Sequence, residues 1–311
     1  MTKISVVIPV KNEEDKILSC LDAVFNQTHR PFEVIVVDGH STDMTVKNAN
    51  HYPIRLFYES YGTVGGARQV GVENANGDYI AFTDADCIPD INWLENLIKE
   101  FNDNKIIGVG GGIKNIGEGI WEESIALVLD SFLGSADSVQ DRVFAKKKFV
   151  KSISGCNSIY RRNDLLDYNG FNINLSINED TELNKRLIKH GVILYTPDAI
   201  VLHNQKRGLR DFAKRIYHFG FGRSNNRLWD LQAIPPILGL IALSFLFLSF
   251  NYFLFLISLY ITMLLYFDII IFLKIRKPQY IFSIPIVFII EHISYSIGFW
   301  KGIVQFKKGS L

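Results

Sequence analysis

Two aspartates, Asp84 and Asp86, stand one residue apart at the end of an apolar run. The stretch GDYIAFTDADC, from Gly77 to Cys87, begins as a buried β-strand of apolar and β-branched residues and ends in these carboxylates. Like charges this close repel each other, so a cation or a hydrogen-bonding ligand is needed to keep both ionised. The pair therefore indicates a metal or ligand site, with a solvent-exposed turn as the alternative.

Polar residues also follow two other apolar runs. The first run leads into PVKNEE and the second into DGHSTD, and Arg68 stands in a helical pattern, GGARQVGVENA, that precedes the Asp84 run. No GxGxxG or GxxxxGK[ST] loop follows the first run, so the sequence does not favour a dinucleotide-binding site or a P-loop. A nucleotide site without a glycine cradle needs another way to hold a diphosphate. A divalent metal bound by carboxylates would serve.

These polar groups need a sheet that brings them together. The runs ISVVIPV, FEVIVVD, IRLFYE and DYIAFTD are typical of short buried strands, and helical patterns separate them; Ile17, Leu21 and Val24, for example, share one apolar face. Strand and helix in alternation predict an α/β fold with a mostly parallel sheet covered by helices on both faces. Ligands of such sheets bind at the carboxyl ends of the strands, where the polar residues collect.

The C-terminal part of the chain has a different composition. Of the 311 residues 48% are hydrophobic, and between Ala233 and Leu311 the acidic residues are Asp268 and Glu291. The uncharged run from Ile234 until Asp268 is long enough for two transmembrane helices, since one span needs roughly 20 residues. A buried hairpin in a soluble core is the alternative. The region from Tyr280 to Val304 has the length of a third span, but it could equally be a re-entrant or interfacial segment.

Two features indicate the compartment of the N-terminal part. The opening residues MTKISVVIPVKNEE have no apolar stretch of the length that a signal peptide needs, so this part is expected to remain cytosolic. The chain has three cysteines, Cys20, Cys87 and Cys156, with no CxxC spacing. An odd number without that spacing suggests neither a disulfide framework nor a zinc site. The cysteines are therefore interpreted as small core residues.

A basic segment precedes the apolar region. Residues 205 to 227 contain seven Lys or Arg against one acid, Asp211, whereas residues 1 to 204 contain 28 acids and 20 bases. Within LRDFAKRIYHFGFGR, apolar residues recur at helical spacing among the cations. The pattern predicts an amphipathic helix on an anionic membrane surface, on the cytosolic side by the positive-inside rule. Nucleic acid is disfavoured as a partner because the segment leads directly into a span.

Five sequence blocks occur together in one order: VVIPVKNEE, VVDGHSTD, GGARQVGVENANGDYIAFTDAD, SGCNSIYRRNDL and GFNINLSINEDTELNKRLIKHG. In these blocks the chain resembles an inverting family 2 glycosyltransferase with the GT-A fold, and it is most similar to the membrane-anchored branch with succinoglycan-type polysaccharide transferases. The resemblance covers roughly residues 4–204 and implies a catalytic domain at residues 1–204. Together with the charge and apolar patterns above, it predicts a basic amphipathic interface segment at 205–232 and a transmembrane region with two or three membrane segments at 233–311.

The resemblance also implies a donor site for a UDP- or GDP-sugar. It places the base and ribose against Pro9, Val10, Glu13 and Asp38, and it makes Arg68 a helper near the phosphates. Asp84, Ala85 and Asp86 match the family's DxD motif, with Asp84 toward the ribose and Asp86 on the metal. His203 is the expected second metal ligand, and Mg²⁺ or Mn²⁺ is the expected cofactor. His40 departs from the family pattern, which usually has Gly at this position.

On the acceptor side, the resemblance makes Asp180 the catalytic base. An inverting transfer needs one carboxylate to take the proton of the acceptor hydroxyl. Glu179 and the stretch that contains Gly155, Cys156 and Asn157 are expected to line the acceptor side. Acids in the first turn of a helix also favour the helix dipole, and this simpler reading is preferred for Glu182.

These assignments predict an enzyme integral to the cell membrane, with its catalytic domain in the cytosol, that acts in polysaccharide or glycan biosynthesis. The most direct acceptor is a lipid-linked sugar or other glycan. The first alternative is transfer to polyprenyl phosphate itself, and the second is a catalytically silent membrane scaffold that binds nucleotide sugar. A synthase that also exports polymer is disfavoured because the spans are few and no QxxRW pattern is present.

Overall fold

A computed structural model of the chain describes residues 2–136, 138–140, 142–204, 208–229 and 231–309, with side chains as far as Gln305. The chain forms two compact units. The first contains residues 1–114 and 138–204, and the second contains residues 115–137 and 205–311. Residues 115–137 thus belong to the second unit, although the sequence analysis places them within the range of the catalytic domain.

The first unit is built from strands and helices in alternation. Its strands are β1 (Ile4–Val10), β2 (Glu33–Asp38), β3 (Arg55–Tyr58), β4 (Tyr79–Phe82), β5 (Cys87–Pro89), β6 (Ile106–Ile116), β7 (Lys148–Val150), β8 (Ser158–Arg161) and β9 (Val192–Asn204). Its helices are α1 (Ile17–Phe25), α2 (Thr45–Ala49), α3 (Val64–Asn74), α4 (Trp93–Ile98), α7 (Arg162–Asp167) and α8 (Glu179–Leu187), while α5 (Ile120–Leu129) and α6 (Phe132–Ser135) fall in the second unit.

The described strands form one mixed sheet in the order β3-β2-β1-β4-β8-β6-β9-β5, with β7 on β9. Strand β1 pairs in parallel with β2 and β4, and β2 pairs in parallel with β3. Strand β8 is antiparallel to β4 and β6, and β9 is antiparallel to β5 and β7. The predicted α/β class is confirmed, and the parallel pairs named here join β1 to β4, where helical crossovers connect the strands.

Helices cover both faces of the sheet, as predicted. In β1, Val6 and Ile8 share a buried core with Ile17 of α1, whereas the intervening Val7 joins a second core with Val72 of α3. Alternate residues of a strand point to opposite faces, so one strand contributes to both cores. The four apolar runs of the sequence correspond to β1 to β4. The sheet therefore places their carboxyl ends as the sequence analysis expected.

The second unit is helical. Besides α5 and α6 it contains α9 (Leu209–Asn225), α10 (Ile234–Leu248), α11 (Phe250–Ile275) and α12 (Ser283–Gly309). Within the described residues, three helical segments are long and apolar enough to cross a membrane: Leu231–Leu248, Phe250–Ile275 and Pro278–Gln305. The prediction of C-terminal helices with the properties of membrane spans is confirmed.

Helix α9 corresponds to the predicted amphipathic segment. Phe212 and Ile216 on its apolar side are buried in a cluster with residues of α5 and α12, while Arg210 and Lys214 are exposed. The apolar side is therefore covered by protein within the second unit. Two other cations of the basic segment, Lys206 and Arg207, lie outside the described residues.

Candidate active site

The carboxyl ends of β1, β2 and β4 lie side by side. Val10, the last residue of β1, is the register partner of Asp38, the last residue of β2, and β1 also pairs with β4. Asp84 and Asp86 follow the end of β4 by two and four residues. Because the strands are parallel, the polar residues predicted for the donor site come to one edge of the sheet.

The loops after β1 and β2 hold each other in place. The carboxylate of Asp38 is buried and accepts hydrogen bonds from the Ser41 backbone N–H at 2.9 Å and the Ser41 hydroxyl at 2.5 Å. The Glu13 N–H, in the loop after β1, donates to Thr45 Oγ1, in the segment after β2, at 2.8 Å. The Glu13 carboxylate pairs with Lys16 at 2.9 Å. Pro9 is half-buried. These bonds fix the backbone at the predicted donor side.

His40 takes a backbone conformation that explains why glycine is usual at its position. Its φ angle is +60°, in the left-handed region that glycine enters without strain. The imidazole Nε2 lies 2.7 Å from the carbonyl oxygen of Glu59, and the ring stacks on Tyr58 at 5.9 Å. These contacts stabilise the same turn with a larger side chain.

Arg68 connects the loop of the two aspartates to the first turn of α8. The side chain is 3% exposed; Nη2 donates to Asp84 Oδ1 at 2.7 Å, and Nη1 donates to Glu179 Oε1. Burial by itself lowers the pKa of Arg68, but the negative charges of Asp84 and Asp180 raise it above its ordinary value. The guanidinium therefore remains a cation between carboxylates. A contact between Arg68 and a donor phosphate stays a prediction.

Asp180 lies beside Gly155, so the predicted base is next to the predicted acceptor stretch. Its Oδ2 accepts the Gly155 N–H at 2.9 Å and the Gln140 side-chain amide at 3.3 Å, and its Oδ1 accepts the N–H of Thr181 at 2.6 Å. A Cβ atom on Gly155 would lie 2.6 Å from Cζ of Arg68. Glycine thus leaves room here for the close approach of the guanidinium.

Asp86, Cys87 and His203 form a group that could hold a metal ion. Cys87 and His203 are opposite each other in the β5–β9 pair, and one ligand atom from each of the three residues lies within 4.8 Å of the others. The Nε2 atom of His203 is 3.4 Å from Asp86 Oδ2. Carboxylate oxygen with imidazole nitrogen is a donor set that accepts Mn²⁺, so the residues fit the expected metal. Burial raises the pKa of the Cys87 thiol well above its ordinary value.

The other predicted residues are buried parts of the scaffold around this edge. Ala85 and Cys156 belong to the first core cluster. Asn157 is fully buried; it accepts the indole N–H of Trp93 at 2.8 Å and donates to two backbone carbonyls. Its side chain therefore connects Trp93 with the backbone of Gly112 and Ala199, and contact of Asn157 with an acceptor stays a prediction.

Two residues near the site were not selected by the sequence analysis. Gln140 reaches Asp180 and Thr181 from a stretch without periodic pattern, so no local signal identifies it. Cys87 was interpreted as a core residue, and all three cysteines are indeed buried and free. Its position directly after the DxD motif is the sequence signal that could have placed it near the metal group, whereas its position opposite His203 follows only from the pairing of β5 with β9.

Comparisons with known proteins agree with this architecture. Residues 5–168, more than half of the chain, match the family model described as "Glycosyl transferase family 2". A Methanococcus voltae protein named dolichyl N-acetyl-alpha-D-glucosaminyl phosphate 3-beta-D-2,3-diacetamido-2,3-dideoxy-beta-D-glucuronosyltransferase is 28% identical, with 98% of each chain covered. Glycosyltransferase AglE from Haloferax volcanii is also 28% identical and covers 74% of this chain and 75% of its own.

Solved structures are similar in fold. The mannosyltransferase PcManGT from Pyrobaculum calidifontis, solved with GDP-Man and Mn²⁺, gives a TM-score of 0.57 at 17% identity, covering 94% of this chain and 87% of that one. S. aureus TarS 1–349 gives a TM-score of 0.52 at 18% identity, covering 99% and 92%. At these identities the likeness concerns the GT-A fold alone. By its family match and its fold, the chain belongs to glycosyltransferase family 2.

Proposed function

We propose that this protein transfers a sugar, with inversion, from a UDP- or GDP-sugar to a lipid-linked acceptor at the cytosolic face of the membrane. The main support is that one buried cation, Arg68, pairs with carboxylates from two different parts of the site. Arg68 pairs with Asp84 of the DxD loop and with Glu179, the residue before Asp180. These ion pairs would hold the proposed donor site next to the proposed base.

The donor half of the site needs to bind a nucleotide and a diphosphate. Asp38 and Asp84, at the ends of β2 and β4, would accept hydrogen bonds from the base and ribose. Asp86 and His203 would hold Mg²⁺ or Mn²⁺. When bound, such a metal neutralises the negative charge that grows on the diphosphate as the sugar leaves.

The acceptor half needs one proton acceptor. The carboxylate of Asp180 would take the proton from the acceptor hydroxyl while the oxygen forms its bond to the anomeric carbon, and the bond to the diphosphate breaks on the opposite face. Glu179 is less suited to this role because its carboxylate is buried and already pairs with Arg68. The bond from the Gly155 N–H holds Asp180 in place for the transfer.

The membrane helices and one relative support a lipid-linked acceptor. Three apolar helical segments follow the first unit along the chain. The Methanococcus voltae relative is similar over 98% of both chains. Its name includes dolichyl N-acetyl-alpha-D-glucosaminyl phosphate, a lipid phosphate with a sugar attached. We therefore propose an acceptor of this class, a polyprenyl-type lipid phosphate with a sugar attached.

The proposal is tested with the full chain in lipid nanodiscs and a panel of labelled UDP- and GDP-sugars. Each donor is offered polyprenyl-phosphate-linked N-acetylglucosamine, polyprenyl phosphate alone and a soluble oligosaccharide, with Mn²⁺ or EDTA. Metal-dependent product on the lipid-linked sugar, lost in Asp86→Ala, is expected. Product on polyprenyl phosphate alone would favour the simpler transferase. Nucleotide-sugar binding without transfer to any acceptor would favour a silent scaffold and overturn the proposal.

A further inference from the structure

Helices α9 and α12 pack side by side with their backbones in contact. A Cβ atom on Gly220 of α9 would collide with the carbonyl oxygen of Tyr295, and one on Gly298 of α12 would collide with that of Tyr217. A Cβ atom on Gly302, four residues after Gly298, would lie 2.5 Å from the carbonyl oxygen of Phe221. Small residues at such spacing allow this approach. Along this stretch the two helices must therefore lie at the same depth relative to a membrane.

The outer side of α9 is charged. Arg210, Asp211 and Lys214 are exposed, and the ion pair between Lys214 and Asp211, at 3.5 Å, leaves both side chains more than half exposed. A charged side chain that faces hydrocarbon is costly, and such residues in spans usually face a protein interior or a water-filled cavity. Helix α9 is therefore not expected at bilayer depth, and neither is the part of α12 that packs along it.

The outer side of α12 is apolar. Its exposed large residues form one stripe along the helix: Ile286, Ile289, Ile293, Ile297 and Val304. At 3.6 residues per turn this stripe lies on the side away from Gly298 and Gly302, which face α9. The pair thus has a charged surface on α9 and an apolar surface on α12. This is the distribution of an amphipathic layer that lies in the plane of a membrane interface.

A contact near the end of α12 leads to the same conclusion. The indole N–H of Trp300 donates to the carbonyl oxygen of Pro236 at 3.2 Å, and Pro236 lies in the first turn of α10. Trp300 is 17 residues after Ser283, the start of α12. A helix of that length rises roughly 25 Å, which is most of the hydrocarbon core. If α12 crossed the bilayer, Trp300 would approach the far side, whereas it contacts the end of α10 that follows α9.

We infer that α12 does not cross the membrane, and that the α9–α12 pair is a platform on the bilayer surface on the side of the catalytic domain. Among the described helices, α10 and α11 then cross, so the first unit and the C-terminal end of α12 face the same side of the membrane. The apolar stripe of α12 contacts the acyl boundary of the lipids. This inference concerns topology and does not depend on which sugar is transferred.

Topology is tested by labelling engineered cysteines in sealed vesicles of known orientation with an impermeant maleimide. The positions are Lys146→Cys in the first unit, Asn251→Cys in the first turn of α11, and a cysteine appended after Leu311. The parent chain is the background control because its three cysteines are buried. The appended cysteine is expected to label from the same side as position 146 and from the side opposite to position 251. Labelling from the side of position 251 would overturn the inference.

A measurement of immersion depth distinguishes a helix parallel to the membrane surface from one that enters the bilayer. Spin labels at Ile286→Cys, Ile293→Cys and Val304→Cys of the full chain in nanodiscs report immersion depth by collision with oxygen and a polar relaxant. The account predicts the same shallow depth at all three positions. A spanning helix would instead change depth by roughly 27 Å over these 18 residues. A steady change, or a maximum at the middle position, would overturn the platform.

Discussion

Arg68 Nη2 lies 2.7 Å from the Asp84 carboxylate, in a position that is 3% exposed. The other terminal nitrogen of the guanidinium pairs with Glu179, so one buried cation connects the DxD loop to the start of α8. Buried ion pairs add little stability relative to apolar packing, but removing one partner leaves an uncompensated charge. The network therefore fixes geometry, and its members depend on one another.

Replacing Arg68 should destabilise the first unit. In Arg68→Met the side chain keeps much of its volume, but Glu179 is left buried without its cation, and the expected cost is about 3–5 kcal/mol. Thermal unfolding of the full chain in detergent measures the effect. The control is Glu73→Gln, an exposed residue on the same helix. Equal unfolding temperatures for Arg68→Met and the wild type would contradict the network.

Adding a single methyl group at Gly155 should disturb the site without removing any charged group. In Gly155→Ala the new Cβ would lie 2.6 Å from Cζ of Arg68, so the guanidinium has to move away from its partners. Overpacking of this kind costs roughly 1–3 kcal/mol. We expect transfer to fall while the protein remains folded. Gly208→Ala is the matched control, since a Cβ there meets nothing within 4 Å; equal transfer by both variants would count against the close approach.

Asp180→Asn separates the base from the donor site. The amide keeps an oxygen that can accept the Gly155 N–H, so nucleotide affinity should stay within about tenfold of the wild type, about 1.4 kcal/mol. Transfer should fall by a factor on the order of 10² to 10⁴, as for the loss of a positioned general base. Single-turnover transfer and nucleotide titration are measured on the same preparation. Transfer at the wild-type rate would assign the base to another carboxylate, and an equal loss of nucleotide affinity would assign Asp180 to the donor site.

The thiol of Cys20 should make stability depend on alkaline pH. Burial, and then the charges of Asp86 and Asp84, raise its pKa above the ordinary value. The folded state therefore favours the neutral thiol, so its contribution is complete below about pH 8.5, the ordinary cysteine pKa, and is lost as the pH rises above it. The unfolding temperatures of the wild type and of Cys20→Ala should converge above that pH. Parallel profiles would show that the thiol does not titrate as described.

The parallel half of the sheet could be predicted from the sequence because each of its strands is a continuous apolar run buried on both faces. The position of Asp84 and Asp86 after the end of β4 could be predicted for the same reason, because β4 is one of these apolar runs. The strands β5 and β7, with three residues each, carry no periodic signal. The opposition of Cys87 and His203 depends on the pairing of β5 with β9, which joins residues more than 100 positions apart.

The role of residues 115–137 could not be read from local pattern either. The apolar run IALVL in α5 is too short for a span, and it is compatible with a helix in any core. Its neighbours are in the second unit, where Ser124 Oγ lies 2.7 Å from Ser283 Oγ and Phe132 stacks on Phe267 at 6.4 Å. These are long-range contacts, and a sequence window contains only one side of each.

This edge of the sheet is proposed to bind a nucleotide sugar together with a metal ion. The decisive experiment is calorimetric titration of UDP and of GDP into the full chain, with Mn²⁺ and with EDTA, for the wild type, Asp86→Ala and Asp180→Asn. The account predicts Mn²⁺-dependent binding of one of the two nucleotides by the wild type and by Asp180→Asn, and its loss in Asp86→Ala. Unchanged affinity in Asp86→Ala, or equal affinity with Mn²⁺ and with EDTA in the wild type, would contradict the account.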